Sequence, residues 1–383
     1  MTAPWNAYQW VNCTGSVFMQ TLYPSTDESD SQRDGKAVHY IIEEMLKVWK
    51  DVTKTFRFKD FISVEAPNGV IIDEDMAQAA LDYVTDVTNY AVKRHVLNKV
   101  NIEDDLDLSH LGENMDNGRP DVYVWDENRR EIFVSDFKYG HSIVDVFENH
   151  QLICYVSGIL EKLEINGHDD QRINVRMRIF QPRAPHVDGP SREWVCRASD
   201  LRAYVNKIIA ASQESHSENA KCKVGDWCGT CTGRHNCETF TRNYYAALDY
   251  INEPVPFELS NAGLSTEYLM LERAEKLLKA RKSAIEPLVA DKIKHGEQLP
   301  GLGVQQGYGH EKWKSDVPMY EIIMMAELLD VDINKHREID TPAKVRQKGI
   351  DPEVISNYSY RPKTKIKIVK DDGSKARQVF RKQ

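Results

Sequence analysis

The sequence predicts a mixed α/β fold, a central sheet flanked by helices. Two observations lead there. Between about residues 35 and 97 apolar residues recur at helical spacing, and from Asp121 the pattern changes to short runs rich in Val, Ile, Phe, Tyr and Trp. Beyond Asp145 helical and strand patterns follow one another, which is the order of a mixed sheet with helices packed on it.

Each element has its own signal. The polar stretch Ser25 to Asp34 reads as a loop, after which Val38, Ile41, Ile42, Met45 and Leu46 share one face of a helix beginning near Gly35. A second helical pattern runs from roughly Asp73 to Leu97, and the acidic stretch Asn101 to Asn117 reads as loop. Asp121 to Trp125 and Glu131 to Lys138, separated by Asp126, Glu127 and Asn128, predict a β-hairpin. Asp145 to Leu163 predicts a helix, Ile173 to Gln181 and Glu193 to Arg197 strands, and Ser199 to Gln213 another helix. Ser265 is placed to cap a long helix on which Leu271, Ala274, Leu278 and Ile285 share a face, with Pro287 kinking it and Gly296 ending it. The expected organisation is a domain over residues 1–245 with a helical insertion at about 51–116, a helical linker over 246–299 and a small accessory module over 300–383.

Composition narrows the function. With 383 residues, 41% of them hydrophobic and 28% charged, the chain is an ordinary globular one, and no apolar run approaches the ~20 residues of a membrane helix. The N-terminus lacks a basic start followed by an apolar stretch, so a cytoplasmic protein without a membrane partner is expected. The net charge of −9 hides a basic end: residues 361 to 383 carry nine Lys or Arg against two Asp. Lys363, Lys365 and Lys367 alternate there as a ribbon along a phosphate backbone would, or as the exposed face of a small strand.

Chemistry is concentrated in the hairpin. Side chains alternate along a strand, so Asp136 and Lys138 point to the same side, and Asp121 opens the partner strand where its carboxylate can approach Asp136. Two carboxylates held together repel unless a hard cation such as Mg²⁺ or Mn²⁺ lies between them. A cation so held binds a phosphate and lowers the pKa of a bound water, while Lys138 offsets developing negative charge; the chemistry expected is phosphodiester hydrolysis.

Pro120-Asp121 followed by Asp136-Phe137-Lys138 resembles the PD-(D/E)XK nuclease superfamily, and Asp136-Phe137-Lys138-Tyr139-Gly140 resembles the third motif of its RecB-like branch. Gln151 and Tyr155 fit that branch's QxxxY helix, and Gly35 to His39 its GxxxH motif. Any one of these is commonplace; their shared order is not. The resemblance implies a restriction-endonuclease-like core and a Mg²⁺- or Mn²⁺-dependent deoxyribonuclease. Asp121, Asp136, Lys138, Gln151 and Tyr155 would be its catalytic set, and His39, Asp121, Asp136 and the Phe137 carbonyl its metal ligands.

Cysteines supply a second centre. Cys228, Cys231 and Cys237 form a C-x2-C-x5-C run that lacks a fourth ligand, for which Cys222 and Cys13 are the candidates. RecB-like nucleases of the AddB type, and the CRISPR adaptation nucleases, resemble this layout, with one cysteine before the core and the run after it. A phage and prophage RecB-like family of unassigned function shares W-x-N-C-x-G-S, seen at Trp10 to Ser16, and the G-x-W-C-x-x-C run at Gly225 to Cys231. These resemblances imply a structural [4Fe-4S] cluster on Cys13, Cys228, Cys231 and Cys237, with zinc as the rival occupant. Cys154 and Cys196 read as ordinary buried thiols. The function expected is an exonuclease acting on DNA ends in phage recombination or replication, beside a single-strand annealing or replication protein. The alternative is a non-catalytic DNA-binding or assembly module with the same centre.

Overall fold

The computed structural model describes residues 2–25, 28–51, 53–165, 171–186, 188–251 and 260–300, with Leu302 and Met324. The chain divides into two units, one containing Met1–Leu288 and the other Val289–Lys370. In chain order the first carries α1 (Ala7–Asn12), α2 (Gly15–Leu22), α3 (Asp30–Lys50), α4 (Glu74–Arg94), β1 (Val100–Ile102), β2 (Val122–Asp126) and β3 (Glu131–Phe137). Then follow α5 (His150–Lys162), β4 (Asn174–Phe180), β5 (Ser191–Arg197), α6 (Arg202–Ser215) and α7 (Glu238–Ile251), and α8 (Asn261–Lys294) runs on past the division.

The sheet has the order β1-β2-β3-β4-β5. Neighbours are antiparallel except β3 and β4, which are parallel and joined through α5, the crossover that a parallel pair requires. Every residue of β3 is buried, as expected of a strand covered on both faces. Ile132, Val134, Met177 and Trp194 pack with α1, α5 and α6 on one face, whereas Val122, Val124, Phe133 and Phe137 pack with α3 and α4 on the other. A buried ionic network ties α4 to the sheet: Arg178 bonds Asp86 and Glu193, and Glu131 accepts from the Tyr90 hydroxyl at 3.0 Å beside Arg94 at 3.1 Å.

Several expectations shift at their edges. α3 starts at Asp30 rather than near Gly35, because Ser29 and Gln32 form a capping box inside the supposed loop. α5 starts at His150, capped by Asn149, and Asp145–Asn149 is turn rather than helix. The long helix is capped by Ser260, whose hydroxyl accepts from the Gly263 amide at 3.1 Å; Ser265 lies inside it. Gly296 does end it, at φ 88°, with the two reverse hydrogen bonds from the Gly296 and Glu297 amides that close a helix on a left-handed residue. Residues 51–116 supply α4 to one face of the sheet and β1 to its edge. Within 246–299, Leu277 of α8 packs on Cys228 and Phe240. Almost all of 300–383, including Lys363, Lys365 and Lys367, lies outside the described residues.

α5 is held close to the segment before β2 because Gly158 has no side chain; a Cβ there would stand 2.5 Å from Leu108 Cδ2 and 3.1 Å from Leu106 Cβ. Gly158→Ala is expected to cost ~1–3 kcal/mol through overpacking despite a better helix propensity. Gly35→Ala, in α3 with nothing within 4 Å of the new Cβ, is expected to gain ~0.5–1 kcal/mol. Urea unfolding of both variants checks the contrast.

Candidate functional site

The end of β3 gathers side chains from four elements. Asp121, just before β2, and Asp136, in β3, are 4% and 3% exposed. Asp121 Oδ2 accepts the Phe137 backbone N–H at 2.5 Å, and Oδ1 lies 2.9 Å from His39 Nδ1 on α3. What Phe137 brings to Asp121 is therefore its N–H. On the other side of that peptide, Lys138 Nζ lies 2.8 Å from Asp136 Oδ2 and donates to Gln151 Oε1 at 2.9 Å. The Gln151 amide donates in turn to Asp136 Oδ1 at 3.1 Å and to the Tyr155 hydroxyl at 2.8 Å. Gln151 and Tyr155 reach the same place because they are one turn apart on α5.

The electrostatics follow from burial. Desolvation pushes the Asp136 carboxyl up, against the pull of Lys138 and with the repulsion of Asp121. Desolvation also acts to raise Asp121, but His39 and the Phe137 N–H outweigh it and hold Asp121 below the usual carboxylate range. Burial alone would lower His39; the Asp121 carboxylate overrides it and lifts the imidazole to about 9.

Glu103 completes the group. Desolvation, then the charge of Asp121 and a hydrogen bond to it, raises Glu103 to about 8. His39, Glu103 and Asp121 each present a ligand atom, all within 4.8 Å of one another, and among the described residues they form the one such acidic or imidazole triad. Register explains it: Ile102 pairs with Val122, so the residue after Ile102 stands beside the one before Val122. The sequence reading passed over Glu103 because Val100-Asn101-Ile102 is too short a strand to announce itself; the acidic run Glu103-Asp104-Asp105 directly behind it was the available signal. Asp136 is not in the triad, and its buried Oδ2 is the oxygen that faces the Lys138 ammonium. The two carboxylates and one imidazole of the triad suit a hard divalent cation.

The second cluster joins the N-terminus to the segment after α6. Cys13, Cys222, Cys228, Cys231 and Cys237 line one pocket. The Lys223 amide donates to Cys13 Sγ at 3.2 Å, the Gly15 amide donates to the Lys221 carbonyl at 3.1 Å, and a Cβ on Gly15 would fall 2.7 Å from the Cys222 nitrogen. The Cys222 thiol lies within hydrogen-bond reach of both Cys13 and Cys237. Cys154 and Cys196 are elsewhere, buried in the core between the sheet and α5, and burial raises the Cys154 thiol to about 12.

Residues 3–376 match a family described as "Protein of unknown function (DUF2800)". The chain belongs to this family. No curated protein matches it. The likeness of this DUF2800 chain to its family spans nearly the whole sequence, so both clusters fall within it. The α/β sheet is compatible with a nuclease fold, and among the described residues of this DUF2800 protein no helix is long and apolar enough to cross a membrane.

Glu103→Gln keeps shape but removes the carboxylate that a bound cation would hold in its ionised form. Calorimetric titration with Mn²⁺ is expected to show affinity at least about tenfold weaker in this variant than in the wild type. Equal affinity would take Glu103 out of the ligand set.

Proposed function

We propose that this DUF2800 protein is a Mg²⁺- or Mn²⁺-dependent deoxyribonuclease, an exonuclease of the PD-(D/E)XK, RecB-like kind acting on DNA ends in phage recombination or replication. One observation carries the reading: the segment Asp136-Phe137-Lys138 is bonded both to Asp121, which holds His39, and to Gln151, which holds Tyr155. A lone Asp-x-Lys on a solvated strand has no such surroundings. His39, Glu103 and Asp121 would hold the cation. When bound, it supplies Lewis acidity toward a phosphate and a water of lowered pKa.

The protein's own groups do the rest. Asp136 and Gln151 fix the Lys138 ammonium, which can then orient a water and offset charge developing on the phosphate oxygens without reorganising. The Phe137 N–H fixes Asp121, so one carboxylate oxygen is engaged while the other stays with His39. Tyr155, held by Gln151 and kept neutral by burial, offers a hydroxyl to a phosphate. Nothing among these groups reads bases, so cleavage independent of sequence is expected.

Incubation of end-labelled linear and covalently closed circular DNA with Mg²⁺ or Mn²⁺ tests the reading. Degradation of linear DNA only is expected, falling by about 10³-fold or more in Asp136→Ala and Lys138→Ala. Binding without cutting, with either metal, would favour instead a DNA-binding or assembly module.

For the thiol pocket we propose a structural [4Fe-4S] cluster. The convergence of five thiols supports it, a density of soft ligands that suits a metal or cluster. Cys228, Cys231 and Cys237 with Cys13 form the ligand set, and Cys222 is a fifth thiol at the same pocket. Anaerobically purified protein is expected to be brown with about four irons per chain. Cys228→Ala should lose both colour and iron while Cys154→Ala keeps them; a colourless wild type with one zinc would sink the assignment.

A further inference from the structure

Arg192 lies where the core would be better served by an apolar side chain. It follows the inward-facing pattern of Trp194 and Cys196 on β5, points under α5 and α6, and is 6% exposed. Register puts Arg192 opposite Ile179 and Ile179 opposite Asp136, and directly paired residues share a face of the sheet. Arg192 therefore stands in the same row as Asp136, two strand spacings or about 10 Å away.

Its guanidinium is poorly satisfied. Nη2 donates to Gln181 Oε1 at 2.6 Å, and that is its one hydrogen bond among the described residues; Nε and Nη1 are buried without an acceptor. Asp145 and Asp188 act on it through charge, but neither is in ion-pair contact. A buried, unpaired cation is strongly destabilising. A guanidinium also presents forked donors that match a phosphate, which an ammonium does not.

The segment that leads from the candidate site shares an anchor with this cation. Residues 139–149, between Lys138 and α5, contain neither helix nor strand. They are pinned by Gln181, which donates to the carbonyls of Gly140 and Ser142 at 2.8 Å each and accepts from the Val144 amide at 3.1 Å. Gln181 Oε1 is the oxygen that Arg192 also uses, so segment and cation meet at one atom.

We propose that Arg192 anchors a phosphate-binding subsite beside the metal site, which takes a phosphate of the nucleic-acid strand a nucleotide or two from the one being cleaved. The choice of ligand rests on the nuclease reading; the subsite itself does not. Access requires residues 139–149 to lift, and the side-chain bonds of Gln181 are what hold them.

The test needs no cleavage. The melting temperature of the wild type is followed while inorganic phosphate replaces chloride at constant ionic strength, and binding of labelled 5′-phosphorylated and 5′-hydroxyl oligonucleotides is measured with Ca²⁺. Phosphate is expected to raise the wild-type melting temperature, with less effect in Arg192→Lys and none in Arg192→Met. Oligonucleotide binding should weaken at least about tenfold in Arg192→Met. A preference for the 5′-phosphorylated strand that vanishes in Arg192→Met identifies a terminal phosphate, and equal loss for both strands an internal one. In phosphate-free buffer Arg192→Met should melt at or above the wild-type temperature, because it removes an unpaired buried charge; a purely structural arginine would lower it. Should Arg192→Met fold poorly, the wild type and Arg192→Lys still decide. A wild type indifferent to phosphate, or a phosphate effect intact in Arg192→Lys, overturns the subsite. An effect of inorganic phosphate without one on oligonucleotides overturns the nucleic-acid assignment. Phosphate binding through Arg192 in a protein that cuts no DNA leaves the subsite standing and removes the nuclease reading, and cutting without it does the reverse.

Discussion

Burying two carboxylates at the open end of the β2–β3 hairpin is the constraint around which the rest is arranged. Asp121 and Asp136 repel each other and have almost no water to screen them, and a charge in that position must be met by donors or cations or give up its ionisation. The fold supplies those groups from elements far apart in sequence: His39 from α3, the Phe137 amide from β3 itself, Gln151 from α5. The sheet cannot close at this end unless α3 and α5 are seated on its two faces. The helices on both sides are thus as much a requirement of electrostatics as of apolar burial.

The division of labour around the site has the same origin. His39 and the Phe137 N–H keep Asp121 ionised, whereas the burial of Asp136 works against its charge and leaves Lys138 as its main compensation. Two carboxylates of one kind therefore differ in character because their neighbours differ. Glu103 sits at the opposite extreme, held toward the neutral form by Asp121.

Local sequence carried the hairpin, α4, β4 and α6 well, since each shows a clean period over enough residues. It carried edges less well. The capping box at Ser29 hid in a polar run, β1 has three residues, and Asp145–Asn149 has helix-like composition but serves as turn. For the site, His39, Asp121, Asp136, Lys138, Gln151 and Tyr155 were legible as motifs, and the structure brings all six together. Glu103 and Arg192 were not legible, because each owes its place to strand register, a relation between segments that no single segment displays.

The thiol pocket ties residues 13–15 to residues 221–223 and onward to Cys237. Bringing such distant points of a chain together carries a large loop-closure entropy, so this clasp forms late, when the sheet between has already folded. During synthesis the sheet and the groups around Asp136 emerge complete before Cys228 leaves the ribosome. For much of that time the N-terminal helices α1 and α2, with Trp10 and Val17 destined for the core, wait without their lock. Closure of the thiol pocket is therefore the step that seals α1 and α2 against the rest of the domain.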